Sequence, residues 1–189
     1  MTRKYIFGYG SLIHPQSIAR TLDREISQDE LIIKKLHGFV RSWQLVDHVV
    51  MKNNPDEQVE AVFLDITPMK NRWVNGVLFE VNDKELERFD QREKNYSRVN
   101  ITDFMNNDYQ DVLVYTYIGK NNYLISNFSN PNIMKKYMST VENGLKFWNN
   151  DFVSDFKAST LKHSLHMKDG EYKFLDESQN KVTGRNSLF

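Results

Sequence analysis

Short runs of apolar residues, several with every second position polar, occupy the first two thirds of the chain and predict β-strands. The first run covers residues 5–10, is rich in aromatic side chains and stops at Gly10 and Ser11, which predicts a buried strand that enters a tight loop. Further strands are predicted at residues 31–36, 39–50, 59–66, 73–81, 96–104 and 109–118. A turn is predicted at residues 53–56, where two asparagines, a proline and an aspartate follow one another.

Helical spacing of apolar residues is found in three stretches. Residues 15–22 begin with a proline, which suits the first turn of a helix. Asn82 is followed three residues later by a glutamate, a pattern typical of a capping box, so we predict a helix that runs from there towards Glu93. The longest helical stretch spans residues 131–156, with a break expected at residues 149–151.

The order of these elements predicts the fold class. Strands dominate the early part of the chain and are not regularly interleaved with helices, which argues against a doubly wound parallel sheet. We therefore predict an α+β fold, a small mixed β-barrel or sheet with flanking helices. Beyond Ala158 the chain becomes polar, so residues 1–158 are expected to form the domain and residues 159–189 a C-terminal extension that is peripheral or partly disordered.

Composition narrows the function classes. The chain has 25 basic and 25 acidic residues, so no overall positive charge attracts nucleic acid or an anionic membrane, and neither is expected as a partner. It has no cysteine, which excludes thiolate nucleophiles, disulfides and Cys-ligated metals. No stretch has the roughly 18–20 apolar residues of a membrane-spanning helix, and we expect a cytoplasmic protein. His163 and His166 lack a third ligand in any metal-binding pattern, so no metal site is predicted.

The loop after the first strand is a candidate binding site. Consecutive backbone N–H groups from Gly10 to Leu12 can form a concave set of donors for an anion. The spacing fits neither a dinucleotide fingerprint nor a P-loop, and a purely structural turn is the open alternative. Ser11 is also a candidate hydrolase nucleophile with His14 as its base, but the glycines of the nucleophile elbow are missing.

Glu93 is the candidate catalytic residue. If the predicted helix continues, Glu93 lies four residues after Phe89 and seven after Leu86, on the face that packs against the core. Burial raises the pKa of a carboxyl group, which suits a group that shuttles protons at neutral pH. The open alternative places Glu93 beyond the end of the helix, paired with a neighbouring basic residue. Tyr96 follows three residues later and is either directed to the same side or part of the core.

With these residues in place, the sequence resembles the γ-glutamylcyclotransferase-like family. The resemblance rests on three blocks in matching order: FGYGSL at residues 7–12, VNGVLFEV at residues 74–81 and LxxFDxxExxYxR at residues 86–98. It covers about residues 4–157 and leaves the C-terminal extension without a counterpart. Tyr117 and Tyr137 fall near tyrosines that this family also uses.

The resemblance implies a mixed β-barrel with flanking helices and a cyclisation reaction. The substrate's α-amine attacks its own γ-carbonyl, forms 5-oxoproline and releases the attached amine, with neither metal nor organic cofactor. In this reading Glu93 is the general acid and base. The implied residues for binding the small γ-glutamyl substrate are Tyr9, Gly10, Ser11, Leu12, Tyr96, Tyr117 and Tyr137.

Several alternatives stay open at the level of sequence. Relatives act on γ-glutamyl amino acids, on γ-glutamyl-lysine isopeptides, on glutathione or on larger conjugates. The glutathione-specific branch usually carries a Trp and a Pro soon after the loop, and only Pro15 is present here. A non-catalytic member that binds an acidic metabolite and an interaction module built on the long helix and the extension are two further hypotheses. The sequence does not define an oligomeric state.

Overall fold

Long runs of β-branched and aromatic residues place a β-sheet at the centre of the molecule. The computed structural model describes residues 2–105 and 111–185. Its strands are β1 (Arg3–Gly8), β2 (Ile32–Met51), β3 (Asn54–Val81), β4 (Tyr96–Asn100), β5 (Val112–Gly119), β6 (Asn132–Met134), β7 (His166–Lys168) and β8 (Tyr172–Phe174). Its α-helices are α1 (Pro15–Leu22), α2 (Asp83–Arg92), α3 (Lys135–Leu145), α4 (Asn150–Ala158) and α5 (Glu177–Thr183).

These strands form one mixed sheet in the order β4-β5-β1-β3-β2-β8, with β6 and β7 attached beside β3. Strand β1 runs antiparallel to β3 and parallel to β5. The predicted α+β class with a mixed sheet and flanking helices is confirmed. Among the described residues the sheet is open, because β4 and β8 at its two ends do not pair. None of the helices in these residues is long and apolar enough to span a membrane.

Strands β2 and β3 are longer than the sequence predicts. Each joins two predicted strands, because the two chains pair along almost their whole length. Gly38 adopts a positive φ of 82° and produces only a register shift between His37 and Phe39. On the partner strand, pairing with β2 lapses between Pro68 and Trp73 and then resumes. A local break in the pattern therefore becomes a bulge rather than the end of a strand.

Helix α2 forms where its capping signal predicts. The Asn82 side chain accepts a hydrogen bond from the Glu85 N–H at 3.0 Å, and the Glu85 carboxylate accepts one from the Asn82 N–H at 2.8 Å. Leu86 and Phe89 are buried against the sheet. The helix ends at Arg92, and its last turn is buried on the side that carries Phe89 and Arg92.

The other predictions differ in their boundaries. The long helical stretch divides into α3 and α4, separated close to the predicted break, with Asn149 capping the second helix. The predicted strand at 109–118 is observed as β5 from Val112 onwards, and residues 109 and 110 lie outside the described residues. The predicted strand at 96–104 ends at Asn100, because Thr102–Phe104 form a 3-10 turn.

The C-terminal segment differs from the peripheral extension expected from its polarity. Strand β8 pairs with the end of β2, and Tyr172 has no exposed surface in the main core. The Thr21 hydroxyl donates to the Val182 carbonyl at 3.2 Å, which joins α5 to α1. A strand of three residues is too short for hydrophobic periodicity to predict, although Tyr172 and Phe174 provide its buried face. Residues 186–189 lie outside the described part of the chain.

Arg41 fixes α4 to the sheet. Its side chain is fully buried, and its Nη1 donates to the Phe156 carbonyl and the Ser159 hydroxyl, each at 3.1 Å. Nη2 donates to the Asn75 carbonyl of β3. The guanidinium also lies 3.7 Å from the centre of the Phe156 ring. These contacts hold the end of α4 against both long strands.

Candidate active site

A cavity of about 870 Å³ opens beside the C-terminal end of α2. A second cavity of about 30 Å³ lies under the glycine loop and is lined by residues 7–12. Four residues line both cavities: Ser11, Glu93, Tyr96 and Tyr137. The loop and the candidate acid therefore belong to one site.

Glu93 is the first residue after α2, and its backbone N–H still bonds the Phe89 carbonyl at 2.8 Å. Its side chain is 15% exposed, and its Oε1 accepts a hydrogen bond from Arg92 Nε at 2.8 Å. Burial raises the pKa of the Glu93 carboxyl, the charge of Asp47 adds to the increase, and Arg92 opposes it. Each of the two alternatives considered for Glu93 therefore describes part of the geometry. Glu93 lies past the end of α2 beside an arginine, and its side chain is also largely shielded from solvent at the cavity.

Arg92 connects the three parts of the site, whereas the sequence suggested it only as one possible partner of Glu93. Its Nη2 donates to the hydroxyls of Ser11 and Ser17, each at 3.0 Å. Its Nη1 donates to the Ser17 carbonyl at 3.0 Å and the Thr21 hydroxyl at 2.8 Å. The loop, helix α1 and Glu93 are therefore held by one guanidinium. A signal was present, since Arg92 lies three residues after the buried Phe89, on the core-facing side of α2.

The glycines of the loop permit two close approaches. A Cβ on Gly8 would lie 2.6 Å from Leu12 Cβ and 2.8 Å from the Leu12 carbonyl oxygen, so the loop folds back on β1 only with glycine there. A Cβ on Gly10 would lie 3.2 Å from the Tyr137 hydroxyl. After Gly10 the chain forms the 3-10 turn Ser11–Ile13. The first N–H groups of such a turn have no acceptor within the turn, so they can donate hydrogen bonds to a bound anion.

Three of the predicted site tyrosines use their hydroxyls in structural hydrogen bonds. Tyr9 donates to the Tyr117 carbonyl at 2.6 Å, and Tyr96 donates to the Leu64 carbonyl at 2.8 Å. The Tyr117 hydroxyl donates to Asp90 Oδ1 at 2.8 Å. All three rings line the small cavity. Their contribution to the site is therefore its aromatic wall.

Tyr137 differs from the other three tyrosines. Its hydroxyl oxygen accepts a long hydrogen bond of 3.4 Å from the Leu64 N–H. Within the described residues its hydroxyl donates no hydrogen bond, so the proton is available to a ligand. Burial raises the pKa of Tyr137 above its usual value, which keeps the hydroxyl protonated at neutral pH. Tyr137 is thus a neutral donor at the junction of the two cavities.

A polar floor borders the large cavity, and sequence reasoning missed it. Asp47 is 8% exposed, and burial raises the pKa of its carboxyl. Gln179 Nε2 donates to the Arg92 carbonyl at 3.0 Å. In the described part of the chain, Asn95 Nδ2 and Gln179 Oε1 are buried without a hydrogen-bond partner. These residues come from β2, the α2–β4 connection and α5, so no local pattern links them.

The geometry gives Ser11 no base. The Ser11 hydroxyl accepts a hydrogen bond from Arg92, and a guanidinium cannot take a proton from it. His14 Nδ1 instead accepts the Gln16 N–H at 3.2 Å as the N-cap of α1. The serine–histidine pair considered from the sequence is therefore not formed. Among residues 2–105 and 111–185, no group of three or more His, Asp and Glu side chains could hold a metal ion.

The chain is similar to known proteins in sequence and in fold. A sequence model described as "Gamma-glutamyl cyclotransferase, AIG2-like" matches residues 6–137, a region that contains the loop, Glu93 and Tyr137. A solved gamma-glutamyl cyclotransferase superposes with a TM-score of 0.54 at 13% identity, covering 96% of this chain and 99% of that chain. An uncharacterized protein from Homo sapiens gives a TM-score of 0.55 with the same identity and coverage.

An Arabidopsis thaliana protein is 24% identical over 68% of this chain and 76% of its own, with a TM-score of 0.46. A search of curated proteins found no match. The solved structures with TM-scores above 0.5 show a shared fold over 96% of this chain.

Proposed function

The chain belongs to the AIG2-like γ-glutamyl cyclotransferase family, and from this premise we propose that it cyclises a γ-glutamyl amide to 5-oxoproline and releases the attached amine or amino acid. The observation that carries the proposal is the Glu93 carboxyl. It is largely shielded from solvent, its pKa is raised, and it lines both the large cavity and the cavity under the glycine loop. A carboxyl group in this state can accept and return a proton near neutral pH.

In the first step, Glu93 acts as a base. Its carboxylate accepts a proton from the substrate's α-ammonium group, and the free amine attacks the γ-carbonyl to form the new C–N bond of the lactam. Because Arg92 binds Oε1, we assign the proton transfer to Oε2. Nucleophile and carbonyl belong to one molecule, so the protein has only to hold the substrate in the geometry of attack.

In the second step, the protonated Glu93 acts as an acid. It donates its proton to the leaving nitrogen while the original amide C–N bond breaks and the γ-carbonyl re-forms, which returns Glu93 to its carboxylate form. The attacking nitrogen gives up its second excess proton to the departing amine, so the products are the neutral lactam and an ammonium ion. A single group with a raised pKa therefore serves both steps. The proton gained in the first step is the one lost in the second.

The loop and Tyr137 bind the γ-glutamyl group in this proposal. Backbone N–H groups of Gly10, Ser11 and Leu12 hold the α-carboxylate or the oxyanion that develops on the γ-carbonyl. A donor in the oxyanion role typically contributes about 3 kcal/mol to transition-state stabilisation. The Tyr137 hydroxyl adds a neutral donor at the same place. This role is supported by the observation that it donates no hydrogen bond to any described residue. Tyr9, Tyr96 and Tyr117 form the wall.

The test is a substrate panel. Purified protein is incubated with γ-glutamyl amino acids, γ-glutamyl-ε-lysine and glutathione, and 5-oxoproline is measured by mass spectrometry. We expect release from at least one class, loss of release in Glu93→Gln and retention in Glu87→Gln, an exposed glutamate on the same helix. No 5-oxoproline from any compound with folded protein would overturn the proposal and favour a non-catalytic member that binds an acidic metabolite.

A further inference from the structure

The C-terminal segment, which lies beyond the family match, contributes to the lining of the large cavity. The match ends at residue 137, whereas Tyr172, Phe174, Gln179 and Arg185 all line the cavity. Ser11 and Glu93 line both this cavity and the small cavity under the loop. If a γ-glutamyl group binds at the loop, the large cavity is the adjacent space for its leaving group.

Basic residues outnumber acidic residues in the lining of the large cavity. Besides Arg92, four basic residues line the cavity: Arg20, Lys52, Lys136 and Arg185. Three acidic residues line it: Asp47, Glu93 and Glu171. Glu171 pairs with Lys136 at 2.5 Å, and Glu93 pairs with Arg92 at 2.8 Å. Among the described residues, no carboxylate oxygen lies within 4.0 Å of the guanidinium of Arg20 or Arg185.

These two arginines flank one glycine. Gly184 ends α5 with a φ of 70°, and a Cβ on it would lie 3.4 Å from Arg20 Cδ in the last turn of α1. Arg185 follows directly and donates from Nη2 to the Tyr172 hydroxyl at 3.1 Å. Its guanidinium lies 4.3 Å from the centre of the Tyr172 ring, a cation–π contact that holds it in place without neutralising it. The lining of the large cavity thus includes two neighbouring positive groups that have no carboxylate partner among the described residues.

We propose that Arg20 and Arg185 bind a carboxylate of the leaving group, so that γ-glutamyl amino acids and peptides are preferred over γ-glutamyl amines that lack a carboxylate. The inference rests on the proposed function and assigns a specificity role to residues on α1 and after α5. Guanidinium groups suit this task, because their planar N–H donors match the geometry of a carboxylate.

The test compares substrates that differ in one group. Release of 5-oxoproline is measured for γ-glutamyl-alanine and for γ-glutamyl-ethylamine, which lacks only the carboxylate. We expect the wild type to prefer γ-glutamyl-alanine by at least about tenfold in kcat/KM, the scale of a charge-assisted hydrogen bond. Arg20→Gln and Arg185→Gln should each remove most of this preference by raising KM for γ-glutamyl-alanine, and leave γ-glutamyl-ethylamine unchanged. Arg72→Gln is the matched control, since Arg72 lines neither cavity.

The outcomes separate this inference from the proposed function. Equal turnover of the two compounds by the wild type, or an equal loss for both in the arginine variants, would overturn the inference and leave the cyclisation intact. If neither compound is turned over, calorimetry of both compounds with wild-type protein decides the inference, and the proposed function fails only if the substrate panel described above also gives no 5-oxoproline. Binding of γ-glutamyl-alanine that is no tighter than that of γ-glutamyl-ethylamine would then overturn it as well.

Discussion

Two buried arginines sit in two polar clusters with different surroundings. Arg41 is fully buried, bonds carbonyls and hydroxyls of β3 and the end of α4, and lines neither the large nor the small cavity. Arg92 is 8% exposed, bonds hydroxyls of the loop and α1, and also holds the Glu93 carboxylate at the cavity. The first cluster joins structural elements, and the second joins them around a space that admits a substrate.

This difference shows that burial alone does not mark a functional group. Burial lowers the pKa of Arg41 to about 9, which leaves it charged at neutral pH, and burial raises the pKa of Glu93. Both groups are perturbed by the same cause. Only Glu93 can exchange a proton with a bound molecule, because only Glu93 lines a cavity. The predictions below separate the two clusters experimentally.

The largest effect is expected for Glu93→Gln. The amide has the same shape but cannot shuttle a proton, so turnover should fall by about 10²–10⁴-fold, the usual contribution of general acid–base catalysis. Turnover is measured as 5-oxoproline released per folded molecule, with Glu87→Gln as the control. Activity within about tenfold of the wild type would remove Glu93 from the mechanism.

The same variant has a predicted effect on stability. Because the folded state raises the Glu93 pKa, it holds that proton more tightly than the unfolded chain does. Glu93 therefore lowers the free energy of unfolding as pH rises from the ordinary value of 4.5 through the raised one. The amide of Glu93→Gln does not ionise, so the variant does not lose free energy of unfolding in this way as pH rises. It should be at least as stable as the wild type at pH 7, as measured by urea unfolding. A clear loss of stability at pH 7 would indicate a structural role.

Arg41→Met should show the opposite behaviour. The change keeps the apolar stem but removes the guanidinium donor of the buried Asn75 carbonyl and the cation–π contact with Phe156, and an unsatisfied buried group costs about 1–3 kcal/mol. We expect the free energy of unfolding to fall by about 3 kcal/mol, with turnover per folded molecule close to the wild type. Selective loss of turnover with unchanged stability would show that the Arg41 cluster also serves the chemistry.

Gly10→Ala should act on substrate binding. The added methyl would lie 3.2 Å from the Tyr137 hydroxyl and displace it by a few tenths of an ångström. The hydroxyl has no other donated hydrogen bond among the described residues, so its displacement weakens mainly the hydrogen bond to the substrate, which is worth about 0.5–1.5 kcal/mol. We expect KM to rise by about tenfold while thermal unfolding changes little. A large drop in Tm with normal KM would assign Gly10 to the fold alone.

The smallest predicted effect is a shift in a pH profile. Arg92 opposes the increase in the Glu93 pKa, so Arg92→Gln should move the acid limb of kcat/KM to higher pH. Arg88→Gln on the same helix is the control, because Arg88 bonds the Thr21 carbonyl and Asp23 but not Glu93. A shift of equal size in both variants would indicate a general change in charge rather than the direct contact.

Local signals explain which features the sequence predicted. Helix α2 follows from a capping pair within three residues, and the glycine loop and Glu93 follow from a short motif and a helical spacing. The bond between Arg92 and Ser11 joins residues 81 positions apart. Asp47 and Gln179 reach the same cavity floor from β2 and α5. Such contacts depend on how the elements pack, which a local pattern does not encode.

The most direct test of the central claim is the pH dependence of kcat/KM for 5-oxoproline formation in the wild type and in Glu93→Gln. The account predicts that wild-type kcat/KM falls as pH drops through a midpoint above 4.5, because Glu93 must be ionised to accept the first proton. The variant should be at least about 100-fold slower and show no such limb. The same midpoint in Glu93→Gln would contradict the account and assign the titration to another buried group, such as Asp47.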